Sequence, residues 1–300
     1  MRVFDLHCDT VTACLGRGEG LAANGGHISL EKWAAARAAG LKAWAQAFAI
    51  FVPDGAPDPA ASFDRALAFY DEEAARCGLA QYCQPLLAME NGVSLDGDPA
   101  RVDALADRGI QIMGVTWNGA NGLGCGSACD PACGLTAAGC HCVRRMFERG
   151  VAVDVSHLNE AGFSDVLRLQ RNAAACGVRA RVIATHSNCA AMQPHPRNLT
   201  DDQLRALFAA GGLVGVNLYP PFLGGEGTAE EAARHIRHIL TLGGAAYLAL
   251  GTDFDGCTVH PSLAGLDRLP GLRRDLAEMG VPPAALDGMF WDNAAAFFQS

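Results

Sequence analysis

The chain has no stretch of about 18 uncharged apolar residues, the length of a membrane-crossing helix, so no spanning segment is expected. Its opening, Met1-Arg2-Val3-Phe4-Asp5-Leu6-His7, lacks a basic segment followed by an apolar one, and residues 294–300 lack the apolar tail of a lipid-anchor signal. The expectation is a cytoplasmic protein with no membrane partner. Positive charge is not in excess either. The formal net charge is -9 and the isoelectric point about 5.4, whereas a phosphate-backbone partner calls for a basic face. Nucleic acid is accordingly not expected as a partner. The C-x2-C knuckle of structural zinc sites is absent as well. Twelve cysteines are present, and Cys125, Cys129, Cys133, Cys140 and Cys142 crowd one segment, but with three, three, six and one residues between them. Without an export signal, reduced thiols are the default expectation.

What the chain does have is a periodic alternation of two kinds of segment. Its 300 residues are 50% hydrophobic and 18% charged, enough for a sizeable core, and one α/β barrel needs about 250 residues. Short apolar runs fall at residues 3–6, 43–50, 85–89, 110–115, 151–155, 182–185, 213–218 and 247–250. Such runs read as strands buried on both faces, as in a parallel sheet. Between them lie helix-like segments. Ser29 opens one, residues 60–76 form another, Thr200-Asp201-Asp202-Gln203 is a capping-box form, and residues 228–242 and 271–279 follow. Gly40, Gly150 and Gly177 punctuate helix ends. Eight strand–helix units predict an α/β fold, a (β/α)8 TIM barrel spanning 1–300 as a single domain, with an open doubly wound sheet as the alternative. Long loops are expected at 53–62 and 117–139, the second within a Cys-rich stretch around 117–142.

The polar residues that follow the apolar runs carry the chemistry. Run one ends in His7-Cys8-Asp9, run three in Glu90, run five in Ser156-His157 and run six in Thr185-His186. Run eight leads to Asp253-Phe254-Asp255. In (β/α)8 enzymes the carboxyl ends of the strands form the active site, so these distant residues are expected at one mouth. Imidazole nitrogens and carboxylate oxygens suit zinc or a similar first-row ion. On an extended strand, His7 and Asp9 would point the same way and reach one ion. Glu90 could bridge two ions, with His157 and His186 completing the second. His235 and His238, three apart on a helix-like segment, read as surface residues.

Several of these segments resemble one family. Asp5-Leu6-His7-Cys8-Asp9-Thr10, Ala88-Met89-Glu90-Asn91-Gly92, Asp154-Val155-Ser156-His157, Ala184-Thr185-His186-Ser187-Asn188, Arg197-Asn198-Leu199-Thr200 and Gly251-Thr252-Asp253-Phe254-Asp255-Gly256 resemble, in order, the motifs of the membrane (renal) dipeptidases, binuclear zinc peptidases of the metal-dependent amidohydrolase type. The resemblance implies a distorted (β/α)8 barrel and two Zn2+ per chain. It implies that His7 and Asp9 bind one ion, Glu90 bridges, and His157 and His186 bind the other. It further implies that Arg197 grips the substrate carboxylate and that Asp253 acts catalytically, as a proton shuttle or amine contact. A small-molecule dipeptide, L,D forms among them, would be hydrolysed by a metal-activated hydroxide, and the family's frequent homodimers are the implied assembly. Where mammalian members carry a substrate-contacting histidine, this chain has Trp117 followed by Asn118, which are the substrate-binding candidates there.

Two other functions fit the residues. One is a barrel metallohydrolase acting on another amide, such as an N-acyl amino acid or a lactam. The other is a non-catalytic protein holding metal in the cysteine cluster.

Overall fold

A computed structural model describes residues 1–299. Eight parallel strands close into a barrel in chain order: β1 (Arg2–Cys8), β2 (Ala43–Phe51), β3 (Gln84–Glu90), β4 (Ile110–Gly114), β5 (Ala152–Asp154), β6 (Val182–Ala184), β7 (Leu213–Val216) and β8 (Leu248–Leu250), which pairs back onto β1. Each apolar run read from the sequence overlaps one of these strands, and the sheet is closed rather than open. Parallel neighbours need a crossover, and the intervening helices supply it on the outside of the barrel.

Strand alternation sorts the side chains into two cores. Ala45, Ala47 and Ala49 of β2 face inward with Phe4, Leu6, Leu86, Ala88, Ile112, Ala152, Ile183, Leu213 and Ala249. The intervening Trp44, Phe48 and Ile50 pack under the helices. Alanines on several strands leave room inside for Phe4, Leu6 and the two isoleucines. The last helix, Asn293–Gln299, plugs the amino-terminal end of the barrel. Ala294 and Ala295 join the inner core, and Phe298 stacks on Phe4 with ring centroids 5.7 Å apart.

Local signals explain the helices. Ser29 Oγ accepts from the Lys32 amide to cap Leu30–Ala38. Thr200 and Gln203 form a reciprocal capping box on Asp201–Ala209. The loop expected at 53–62 is shorter than that, because Asp58 caps a helix that begins at Pro59. Proline is tolerated at the first helical position, where its missing N–H has no intrahelical partner to lose.

Two expectations are corrected. Cys125 and Cys133 form a disulfide, so these two thiols are not free, while the other ten cysteines are. Spacing could not show this, because the loop folds back on itself. Ala120–Asn121 pairs with Gly124–Cys125, and Asn159 Nδ2 donates to the carbonyls of Asp130 and Cys133, drawing the two cysteine Cα atoms to 5.8 Å. His235 is not on the surface but fully buried. Its helix, Ala229–Thr241, turns Ala232, Ile236 and Ile239 inward, and His235 falls on that face. There Nδ1 accepts from the Cys189 amide and Nε2 donates to the Leu223 carbonyl, whereas His238 pairs with Asp201 at 2.7 Å.

Near the carboxyl ends of the strands, the inward positions of β7 and just beyond β8 are Gly215 and Gly251. A Cβ at either would lie 2.0 Å or 1.8 Å from the Thr185 carbonyl oxygen. Gly251→Ala is therefore expected to destabilise the fold by about 1–3 kcal/mol, the usual range for overpacking. Urea denaturation should show a lower midpoint; an unchanged midpoint would refute the close approach.

Candidate active site

The barrel mouth collects the residues that follow the strands, each by its own route. Leu86, Ala88 and Glu90 are the inward positions of β3, so Glu90 is the next step of the alternation. His7 needs more than alternation. Asp5 pairs with Gln46 and Cys8 with Phe48, so β1 spends one extra residue against β2. That bulge turns His7 into the mouth beside Leu6. Asp9 lies past the strand, at the cap of the helix Thr10–Arg17 with φ -97° and ψ 18°, so an extended strand is not what brings it to His7.

The donors form two triads that share one carboxylate. His7, Asp9 and Glu90 offer ligand atoms all within 4.8 Å of one another, and so do Glu90, His157 and His186. His7 Nε2 lies 3.3 Å from Asp9 Oδ2 and 3.3 Å from Glu90 Oε2. The other oxygen of Glu90, Oε1, lies 2.8 Å from His157 Nε2. His157 Nε2 and His186 Nε2 are 3.0 Å apart. Hydrogen bonds behind the rings assign the tautomers. His157 Nδ1 donates to Asn118 Oδ1 at 3.0 Å, and His186 Nδ1 donates to Thr185 Oγ1 at 2.8 Å. Both Nε2 lone pairs therefore face each other, an arrangement that a cation between them would relieve. His7 Nε2 and Asp9 Oδ1 are buried with no hydrogen-bond partner. A hard-to-borderline divalent cation fits this donor set.

The charges are mutually dependent. Burial would raise Glu90, but the charge of His7 outweighs it and holds the carboxyl well below the usual carboxylate range. Burial would depress His7, but Glu90 and Asp9 outweigh it and hold the imidazole well above its ordinary value. Burial, the charge of His7 and that of Arg197 push His186 well down, and burial and Arg197 push His157 down.

A cavity of about 680 Å³ opens over the triads, lined among others by Phe51, Trp117, Asn118, Arg197, Tyr219, Phe222 and Asp253. Asp253 sits in the left-handed region at φ 61°, with Oδ1 4.0 Å from His7 Nε2 and Oδ2 accepting from Asn217 Nδ2 at 2.9 Å. A non-glycine residue held there is strained, which is a common feature of working sites. Arg197 is buried to 4% exposure and spans the cavity wall over the Phe222 ring. Its Nη2 donates to His157 Nε2 at 3.2 Å, while Nε and Nη1 have no hydrogen-bond partner among the described residues. Burial, offset by Asp253 and Glu90, lowers it to about 10, so it stays charged at neutral pH. Trp117 packs against Phe51 at 5.2 Å and lies 6.3 Å from the His157 ring.

Three supporting residues went unassigned in the sequence: Asp154, Thr185 and Asn217. The first two carried a signal. They stand two residues beyond the inward-facing Ala152 and Ile183, and a polar residue in the inward register of a barrel strand faces the mouth. None of the groups of ligand atoms gathered closely enough to share an ion among the described residues contains a cysteine.

A parallel (β/α)8 barrel with such a donor cluster at its mouth defines a metal-dependent hydrolase. The chain belongs to the membrane dipeptidase family, peptidase family M19, whose model matches residues 71–299. It is a metallo-dipeptidase by that membership. It is similar to a crystal structure of a metallo peptidase from Rhodobacter sphaeroides liganded with a phosphinate mimic of the dipeptide L-Ala-D-Ala: 27% identity, TM-score 0.84, 100% of this chain and 99% of that one. The dipeptidase AC, a metallo peptidase of family M19, gives 27% identity and a TM-score of 0.85 over 100% and 98% of the two chains. An uncharacterised protein in the pqqA 5′ region of Klebsiella pneumoniae is 35% identical over 68% of this chain and 77% of its own length. No helix among the described residues is long and apolar enough to cross a membrane.

Proposed function

We propose that the protein hydrolyses dipeptides with a free carboxylate, L,D-dipeptides among them, using two zinc ions. His7 and Asp9 would hold one, His157 and His186 the other, and Glu90 both. Bound there, such cations supply Lewis-acid polarisation of the peptide carbonyl and activation of the attacking water. The protein's own groups do the rest. Arg197 binds the substrate carboxylate through its two free donors, as a planar fork suits. Asp253 Oδ1 faces the centre, with its other oxygen fixed by Asn217, and carries the proton from water to the leaving amine. Phe51, Trp117 and Phe222 line the cavity with apolar surface that excludes bulk water. The oxygen of Asn118 accepts from His157 and Ser127, which orients the metal-facing imidazole, and its amide N–H donors remain for a substrate oxygen in the cavity that it lines.

One observation carries the reading: a buried guanidinium with two unpaired donors lines the same cavity as the shared-carboxylate cluster. The dipeptide mimic bound by the Rhodobacter sphaeroides peptidase is of the matching substrate class. The test is metal analysis of purified protein beside a panel of L,L and L,D dipeptides and their C-terminal amides. About two zinc per chain, loss of turnover to a chelator with recovery on added zinc, and rejection of the amides are the expected results. Protein that turns over dipeptides with no bound metal would overturn the reading.

A further inference from the structure

The two halves of the donor cluster are joined from behind as well as through Glu90. Thr185 Oγ1 lies 2.5 Å from Asp154 Oδ2, 2.8 Å from His186 Nδ1 and 3.3 Å from His7 Nδ1. A hydroxyl has one proton and two lone pairs. The Asp154 carboxylate can only accept, so the proton goes there and both lone pairs are left for the two imidazole N–H groups. Among the described residues, Thr185 Oγ1 is the hydrogen-bond partner of both His7 Nδ1 and His186 Nδ1. One hydroxyl thereby sets the tautomer of a histidine in each triad, turning both Nε2 atoms toward the mouth.

The rest of the neighbourhood locks this hydroxyl in place. Asp154 Oδ1 accepts from the Ser156 amide at 2.9 Å, from Ser156 Oγ at 2.6 Å and from the Thr185 amide at 3.1 Å. Although Asp154 lies within 4.8 Å of His7 and His186 donors, both its oxygens are thus taken by hydrogen bonds, which makes it an anchor rather than a ligand. The Thr185 carbonyl fills the space that Gly215 and Gly251 leave open on the opposite side. Asn118 plays the equivalent part for His157 alone.

We infer that Thr185, anchored by Asp154, is a positioning residue common to both metal sites, so that its hydroxyl ties the affinity of one site to that of the other. This rests on the ligand assignment proposed above. A residue that fixes a ligating imidazole typically governs about 10–100-fold in metal affinity. Thr185→Val keeps the shape and deletes the hydroxyl, leaving two buried imidazole N–H groups without an acceptor.

Zinc titration against a chromophoric chelator tests the inference without any assay of turnover. Wild-type protein should bind two ions; failure to do so would overturn the ligand assignment itself. In Thr185→Val both affinities should fall, by about 10–100-fold each. In Thr185→Ser both should return to near the wild-type values. In Asn118→Ala only one site should weaken. Loss confined to one site in Thr185→Val, or no recovery in Thr185→Ser, would overturn the shared role. Histidine nitrogen NMR of zinc-loaded wild-type protein gives a second measurement that needs no variant to fold. Protons on Nδ1 of both His7 and His186 are expected, and zinc bound through Nδ1 of either would refute the proposal.

Discussion

Glu90→Gln should slow dipeptide turnover by roughly 10³-fold or more, and the purified variant should retain less than half of its zinc. The substitution preserves size and removes one charge from the carboxylate that both triads share. Its two oxygens serve different partners, Oε2 toward His7 and Oε1 toward His157. An amide offers one acceptor oxygen and turns a donor toward the other imidazole, so a defect at one side cannot be confined there. A metal centre typically contributes several kcal/mol to transition-state stabilisation, and about 4 kcal/mol corresponds to the stated rate loss. The variant carries its own internal check. Glu90 is the largest influence raising His7, so in chelator-treated protein the His7 imidazole should titrate lower in Glu90→Gln than in the wild type. Metal analysis, steady-state kinetics and an NMR titration of His7 together read the outcome. Full zinc content with full activity would remove Glu90 from the centre, and with it the shared-ligand arrangement.

How much of this could be read before the structure depends on which rule places each residue. The barrel strands were legible because burial on both faces leaves continuous apolar runs, and all eight produced strands. Glu90 follows from the same alternation that buries Leu86 and Ala88. His7 does not, since a regular β1 would have left it on the side of Asp5, and only the bulge against β2 turns it inward. Apolar periodicity contains no sign of that extra residue. Asp9 reaches His7 from a helix cap rather than along the strand, which strand alternation does not encode. Thr185 and Asp154 were visible as letters in quoted motifs but had no role there, because a hydrogen-bond hub depends on three chain segments meeting. The Cys125–Cys133 bridge and the buried His235 share that cause. Each depends on where a neighbouring loop or helix lands, and neither spacing nor helical period encodes that.

Arg197→Ala should raise KM for dipeptides by about 10²-fold or more, while zinc content stays at the wild-type level. The side chain is buried, charged at neutral pH, and has Nε and Nη1 free of any partner among the described residues. Hydrogen bonds to a charged group contribute about 1.5–3 kcal/mol each, so losing two removes at least about 3 kcal/mol of substrate binding. If the interaction is equal in the bound substrate and the transition state, kcat changes little and the loss falls on KM. Arg197→Lys should recover only part of it, because an ammonium lacks the planar fork and loses the packing over Phe222. The C-terminal amide of the same dipeptide separates this role from a structural one. Wild-type protein should prefer the free acid strongly, and Arg197→Ala should handle acid and amide alike. Arg197 also donates to His157 Nε2 and depresses that imidazole, so the substitution touches a member of the donor cluster. Retained zinc with lost discrimination is the result that assigns the carboxylate to Arg197. Undiminished preference for the acid in Arg197→Ala would place the carboxylate elsewhere in the cavity and remove the reason for limiting the substrate to a dipeptide.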